Sequence, residues 1–236
     1  LNAERGFEQL VEGCAADAEC AAANPDLAAT LDAIVSQYNE VPLEVEVDLD
    51  DGGGPRQFVI TGDDIVGGLF VALYDVELIP ALPGIITAFA AGQTAIAAEI
   101  IRSGVPFATG AADAMTVSVN CADNAGLGEE LDLEAIDDPG RTRILVTDIL
   151  CSEWPVQPTS PGFNEPVESD IPTLVLAGLY DPITPPMVTQ AVAENLTNAT
   201  FGLWPNRSHG VSGDPCAGQV TLAFLADPSA ELDMSC

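Results

Sequence analysis

The sequence contains no lysine and a single histidine, and its only basic residues are 6 arginines set against 37 Asp and Glu. A formal net charge of −31 repels phosphate backbones and anionic headgroups, because binding to either rests on Lys and Arg neutralising phosphates. Nucleic acid and anionic membranes are excluded as partners on that ground. Blocks of charge are also missing: the acids are spread along 236 residues of which 47% are hydrophobic, which excludes a disordered acidic tail. The chain has no initiator Met and no basic segment followed by an apolar stretch and a cleavage site, so its amino end, Leu1, is expected to arise by processing or truncation. Its longest uncharged run, residues 78–98, is interrupted by Pro80, Pro83, Gly84, Gln93 and Thr94. That composition suits a turn and a buried Ala-rich helix rather than a membrane span.

No Cys-x-x-Cys spacing occurs, and one histidine cannot complete a zinc ligand set with the six cysteines, so no metal or other cofactor is expected. The cysteines fall into three zones, which suggests the bridges Cys14 to Cys20, Cys121 to Cys151 and Cys216 to Cys236. Other connectivities, and six buried thiols, stay open at this level. Bridges would place maturation in an oxidising compartment, outside the cytoplasm.

Two regions differ in pattern. Residues 1–112 are Ala-rich and mostly helical in periodicity: Asn24-Pro25 reads as a cap and first-turn proline before Leu27, Leu31, Ile34, Val35 and Tyr38 on one helix face. Within this region Leu43, Val45, Val47 and Leu49 alternate with acids, and a Gly-rich turn leads into 57–61, predicting a hairpin. Helical signals resume over 63–73 and 85–101. Residues 113–236 instead carry short apolar runs at 115–120, 173–178 and 200–204, read as strands, with helix starts at Thr184-Pro185 and Asp214-Pro215. The fold class is therefore α/β, a partial parallel sheet with a mostly helical accompanying domain. Three strands fall short of the usual five or six, so the sheet looks like the second half of a larger one.

The run ending near Gly178 continues into Tyr180-Asp-Pro-Ile-Thr-Pro-Pro186, and the next into Trp204-Pro-Asn-Arg-Ser-His-Gly210. Asp181 and His209 thus fall just past the carboxyl ends of neighbouring parallel strands, where α/β sheets place functional groups. In the order acid then histidine, they match the last two members of a hydrolase triad. Asp181 can also be read as an Asp-Pro turn or cap, and His209 as a loop residue. Asp123, after the run 115–120, is an alternative triad acid, an acidic anchor for an amine, or an Asp in a turn. Glu129 and Glu130 are weaker candidates for the same anchoring.

Residues 171–236 resemble the carboxyl-terminal region of the secreted tripeptidyl-aminopeptidase-like α/β-hydrolases. The resemblance rests on Leu176-Ala-Gly-Leu-Tyr-Asp-Pro-Ile-Thr-Pro-Pro186, the run Trp204-Pro to Ser208-His-Gly-Val211, Cys216-Ala217, Phe224-Leu-Ala-Asp-Pro228 and Ser235-Cys236. Weaker similarity extends through Val119-Asn-Cys-Ala-Asp123 and the Cys14/Cys20 segment. The resemblance implies that residues 1–112 are a lid, that 113–236 are the carboxyl-terminal part of the hydrolase core, and that Asp181 and His209 are the triad acid and base. It also implies a secreted serine exopeptidase acting on peptides with a free amino terminus, with Asp123 near the substrate amine.

One departure matters. No Gly-x-Ser-x-Gly elbow exists in these residues, and Ser208, beside His209, lacks the strand-to-helix turn and oxyanion donors of such a serine. The expectation is that the nucleophile belongs to a missing amino-terminal half of the core, and that this chain alone is inactive. An esterase of the same fold and a non-catalytic binding domain are the rival readings.

Overall fold

The computed structural model describes residues 2–49, 52–93, 95–102, 113–124, 149–160 and 162–235. They form two compact units, Pro106–Val167 on its own and Asn2–Val105 joined with Glu168–Cys236.

The larger unit begins with helices α1 (Asn2–Ala16), α2 (Ala18–Ala23) and α3 (Leu27–Glu40). The turn between α2 and α3 departs from the sequence reading. Asn24 closes α2 instead of opening α3, and the cap of α3 is Asp26, whose carboxylate accepts from Ala29 N–H. Asp26 tolerates the left-handed backbone that this tight turn needs (φ 57°), as Asp does more readily than most residues. The alternating stretch forms the expected hairpin, β1 (Leu43–Val47) antiparallel to β2 (Arg56–Ile60), with Val45 and Val47 on its buried face.

Helix α4 (Gly62–Ala72) opens with a capping box between Thr61 and Asp64. The single helical stretch expected over 85–101 is broken into α5 (Leu82–Ala90) and α6 (Ala95–Arg102). At the break, Gly92 takes φ 72°, its N–H bonds Phe89 O, and Gln93 N–H bonds Ala88 O. Those two bonds satisfy carbonyls at the end of α5, a Schellman closure that ends the helix. Leu10, Ile34, Leu69, Leu73, Leu82, Ile86 and Phe89 fill the core among these helices, and Tyr38 OH donates to Phe89 O at 3.1 Å.

The same unit contains β3 (Thr173–Gly178), α8 (Pro186–Glu194), β4 (Ala199–Trp204) and α9 (Pro215–Ala226). β3 and β4 pair in parallel from Thr173 opposite Ala199 to Gly178 opposite Trp204, and α8 is the crossover between them. Mixed helices and a small parallel sheet agree with a partial α/β-hydrolase fold accompanied by a helical lid. Several apolar residues of these two helices face outward: Met187, Val188 and Val192 of α8, and Leu222 and Leu225 of α9.

In the smaller unit, residues 115–120 correct the sequence reading. They lie in a helix, α7 (Asp113–Asp123), rather than a strand. The β-branched Thr116, Val117 and Val119 suggested a strand, but the run is short, and tertiary partners on helical spacing decide it. Ser118 Oγ receives Trp154 Nε1–H at 2.9 Å, and Cys121, three positions on, is bridged to Cys151. Glu129 and Glu130 lie outside the described residues.

The Cys14–Cys20 bridge is likewise present. Cys216 is bonded, and its expected partner, Cys236, lies outside the described residues. Disulfides of this kind belong to an oxidising compartment. Among the described residues no helix is long and apolar enough to cross a membrane.

Candidate functional site: an acid and a histidine on adjacent strand ends

Because β3 and β4 are parallel and in register, the segments leaving them emerge side by side. Two backbone bonds hold these exits together: Leu179 N–H to Trp204 O and Tyr180 N–H to Arg207 O, both at 3.0 Å. The crossing is tight at Gly178, where a Cβ would lie 2.3 Å from the Ser208 carbonyl oxygen and 2.7 Å from that of Arg207. Glycine at the end of β3 thus lets the segment carrying His209 fold over the one carrying Asp181.

Asp181 is buried and its carboxylate receives four donors. Oδ1 accepts the N–H groups of Ile183 at 2.8 Å and Thr184 at 2.9 Å, and Oδ2 accepts Thr184 Oγ1–H at 2.8 Å. The fourth is His209, whose Nδ1 stands 2.9 Å from Oδ2 and 3.1 Å from Oδ1. An Asp-Pro turn and a partner for histidine are therefore one and the same group, and the two readings of Asp181 do not compete. A carboxylate that only accepts assigns the proton of the neutral ring to Nδ1, leaving Nε2 with a free lone pair. Among the described residues nothing bonds Nε2, and the His209 side chain is 41% exposed.

Residues 140–236 match a family model described as TAP-like protein. The carboxyl-terminal portion of this chain belongs to that α/β-hydrolase family. Both Asp181 and His209 fall within the matched residues, whereas Asp123 and residues 1–112 fall outside them. No curated protein and no solved structure matches the chain.

In the TAP-like portion, His209 borders an open cleft of about 640 Å³. Tyr74, Asp75 and Glu77 line it from the segment after α4, and Arg207 and Asp214 from the segment around His209 that leads into α9. Arg207 Nε donates to Asp214 Oδ2 at 2.6 Å, while Asp214 Oδ1 caps α9 by accepting from Cys216 and Ala217 N–H. The Asp214 carboxyl is held below its ordinary value of 3.8, chiefly by the Ala217 N–H bond, with burial opposing and Arg207 and Cys216 N–H adding to the shift. The Tyr74 phenol is pushed above its ordinary 10.0, first by burial and then by the negative charge of Asp181.

Ser208 has its hydroxyl turned inward. Its side chain is buried and donates to Leu73 O, with Tyr180 O a second acceptor at 3.2 Å. That hydroxyl is committed to carbonyls, which removes it as a stand-in nucleophile. Asp123 ends α7 instead of following a strand, its carbonyl accepts from Asn164 Nδ2, and it belongs to the Pro106–Val167 unit. The position at His209 Nδ1, which an alternative triad acid would need, is held by Asp181. Among the described residues no group of three or more His, Cys, Asp or Glu could hold a metal ion.

The sequence reading missed Thr184 and Tyr74. Thr184 carried a signal, since a hydroxyl three positions after Asp181 suits a turn closed on that carboxylate. Tyr74 carried none, being 135 residues from the histidine it touches.

Proposed function

We propose that this chain supplies the acid and the base of a secreted serine exopeptidase that releases short peptides from free amino termini through an acyl-enzyme. The observation that carries this reading is the His209 to Asp181 pair on adjacent parallel strand ends, with Nε2 open to a cleft. In the reaction, Nε2 takes the proton of a serine hydroxyl as it attacks the scissile carbonyl and returns it to the leaving amine. Asp181 keeps Nδ1 protonated and stabilises the imidazolium. Water, activated by the same Nε2, then hydrolyses the acyl-enzyme.

The serine itself is not on a Gly-x-Ser-x-Gly elbow within these 236 residues, so in this reading other polypeptide brings it. The exposed apolar faces of α8 and α9 and the two-stranded sheet support such a partner, since a parallel sheet is normally covered on both faces. Residues 1–112 act as the lid over the cleft, and 113–236 as the carboxyl-terminal core. The disulfides and the family match support export. Acidic character favours approach of a cationic amino end, and Asp123 is proposed to anchor that amine.

The test uses the protein together with its serine-bearing segment, assayed on an amino-terminal tripeptide reporter, its acetylated form and a simple ester. Cleavage of the free tripeptide and loss of cleavage on acetylation are expected. Equal cleavage of the acetylated peptide would remove the exopeptidase assignment, and activity confined to the ester would favour the esterase. Asp123→Asn is expected to raise KM for the free tripeptide with kcat nearly unchanged. The missing elbow also favours a second reading, a non-catalytic binding domain. Absence of fluorophosphonate labelling in the complete protein would establish that one.

A further inference from the structure

Asp181 fixes one nitrogen of the imidazole, but a ring held at one atom can still swing about that bond. Two further contacts restrain it, and both come from the carboxyl end of α4. Leu73, fully buried, follows the last residue of α4, so its carbonyl has no partner within the helix. Ser208 Oγ–H supplies that partner, anchoring the segment immediately before His209. Next along the chain, the Tyr74 ring meets the His209 ring edge to face, with centroids 5.4 Å apart and planes at 69°. Phe70, one helical turn earlier, backs Tyr74 in the same manner at 5.9 Å and 83°.

We propose that the end of α4 is a positioning device for the histidine. Ser208 fixes the height of the loop, Tyr74 fixes the plane of the ring, and Asp181 fixes the proton on Nδ1. Neither Ser208 nor Tyr74 performs chemistry in this account; each acts through His209. Its catalytic meaning rests on the function proposed above, whereas its geometry does not. Aromatic edge-to-face pairs contribute beyond their buried area, and removing the buried hydroxyl leaves the Leu73 carbonyl short of its donor. Losing either should let the ring depart more often from its bond to Asp181.

The single histidine makes this directly measurable, because every imidazole signal belongs to His209. With ¹⁵N-labelled histidine, at fixed pH and salt so that Asp75, Glu77, Arg207, Asp214, Tyr74 and Asp181 keep their charges, one would follow the Nδ1–H resonance and its exchange with water. The unaltered chain should show one protected Nδ1–H resonance, and Tyr74→Phe, which keeps the ring, should match it. Tyr74→Leu and Ser208→Ala should each speed exchange about five- to tenfold. Equal protection in Tyr74→Leu would overturn the proposal, as would an unaltered chain with no protected resonance. If Ser208→Ala does not fold, Tyr74→Leu still decides the matter, because that side chain is 40% exposed. In the complete enzyme Tyr74→Leu should lower kcat about five- to tenfold with KM unchanged. Inactivity of the complete enzyme with a protected Nδ1–H would sink the catalytic reading and leave the positioning device standing.

Discussion

Asp181 shows how one side chain can be over-determined. Two backbone N–H groups and the Thr184 hydroxyl hold the carboxylate against its own turn, so the orientation offered to His209 is set before the ring arrives. Replacing it with Asn keeps the size but presents an NH₂ group, which favours the wrong tautomer of the imidazole. On the proposed function, and with the serine-bearing segment present, Asp181→Asn should cost about 10⁴ in turnover, read from kcat on the tripeptide reporter. A loss below tenfold would show that the acid lies elsewhere. Asp214 leads to a pH prediction. Its folded-state value is depressed, so it contributes stability above the unfolded value near 3.8 and loses that contribution as pH falls through the lower folded value. Urea unfolding should therefore find Asp214→Asn less stable than the parent at pH 7, with the gap narrowing below pH about 4. A constant gap would contradict the assignment.

At the level of elements, the legible parts of the fold were those in which local pattern and tertiary environment agree. The hairpin was readable because Val45 and Val47 alternate with acids, and α9 because Asp214-Pro215 is both a cap and a first-turn proline. Asp181 and His209 were legible as a pair because parallel strands in register bring their carboxyl ends together. What failed was decided by partners distant in sequence. Residues 115–120 are β-branched enough for a strand, yet their helix is fixed by Trp154 and Cys151. Asn24 looked like a cap for α3, but its side chain accepts from Thr87 Oγ1, 63 residues away.

The two described bridges should also differ in effect. Cys14–Cys20 spans 6 residues and Cys121–Cys151 spans 30, so on chain entropy their removal should cost about 2 and 3.5 kcal/mol respectively. Urea unfolding of the paired Cys→Ser variants checks the order.

Across the whole molecule, a charge of −31 opposes compactness, because the repulsion is shared by every exposed carboxylate. Raising NaCl from 0.1 to 1 M shortens the screening length from about 10 to about 3 Å. The urea midpoint should rise with it, and a falling midpoint would mean that specific ion pairs outweigh the general repulsion. Arg5 with Glu8 and Arg207 with Asp214 are two such pairs among the described residues.

The Leu73 to Ser208 contact closes a loop of 135 residues. Contacts so distant along the chain form late, since the entropy of closing the loop is spent before any contact rewards it. During synthesis the His209 ring would thus be aligned only after Ser208, 135 residues beyond Leu73, has emerged. Until that contact closes, the segment carrying His209 has no anchor on the helical part of its unit.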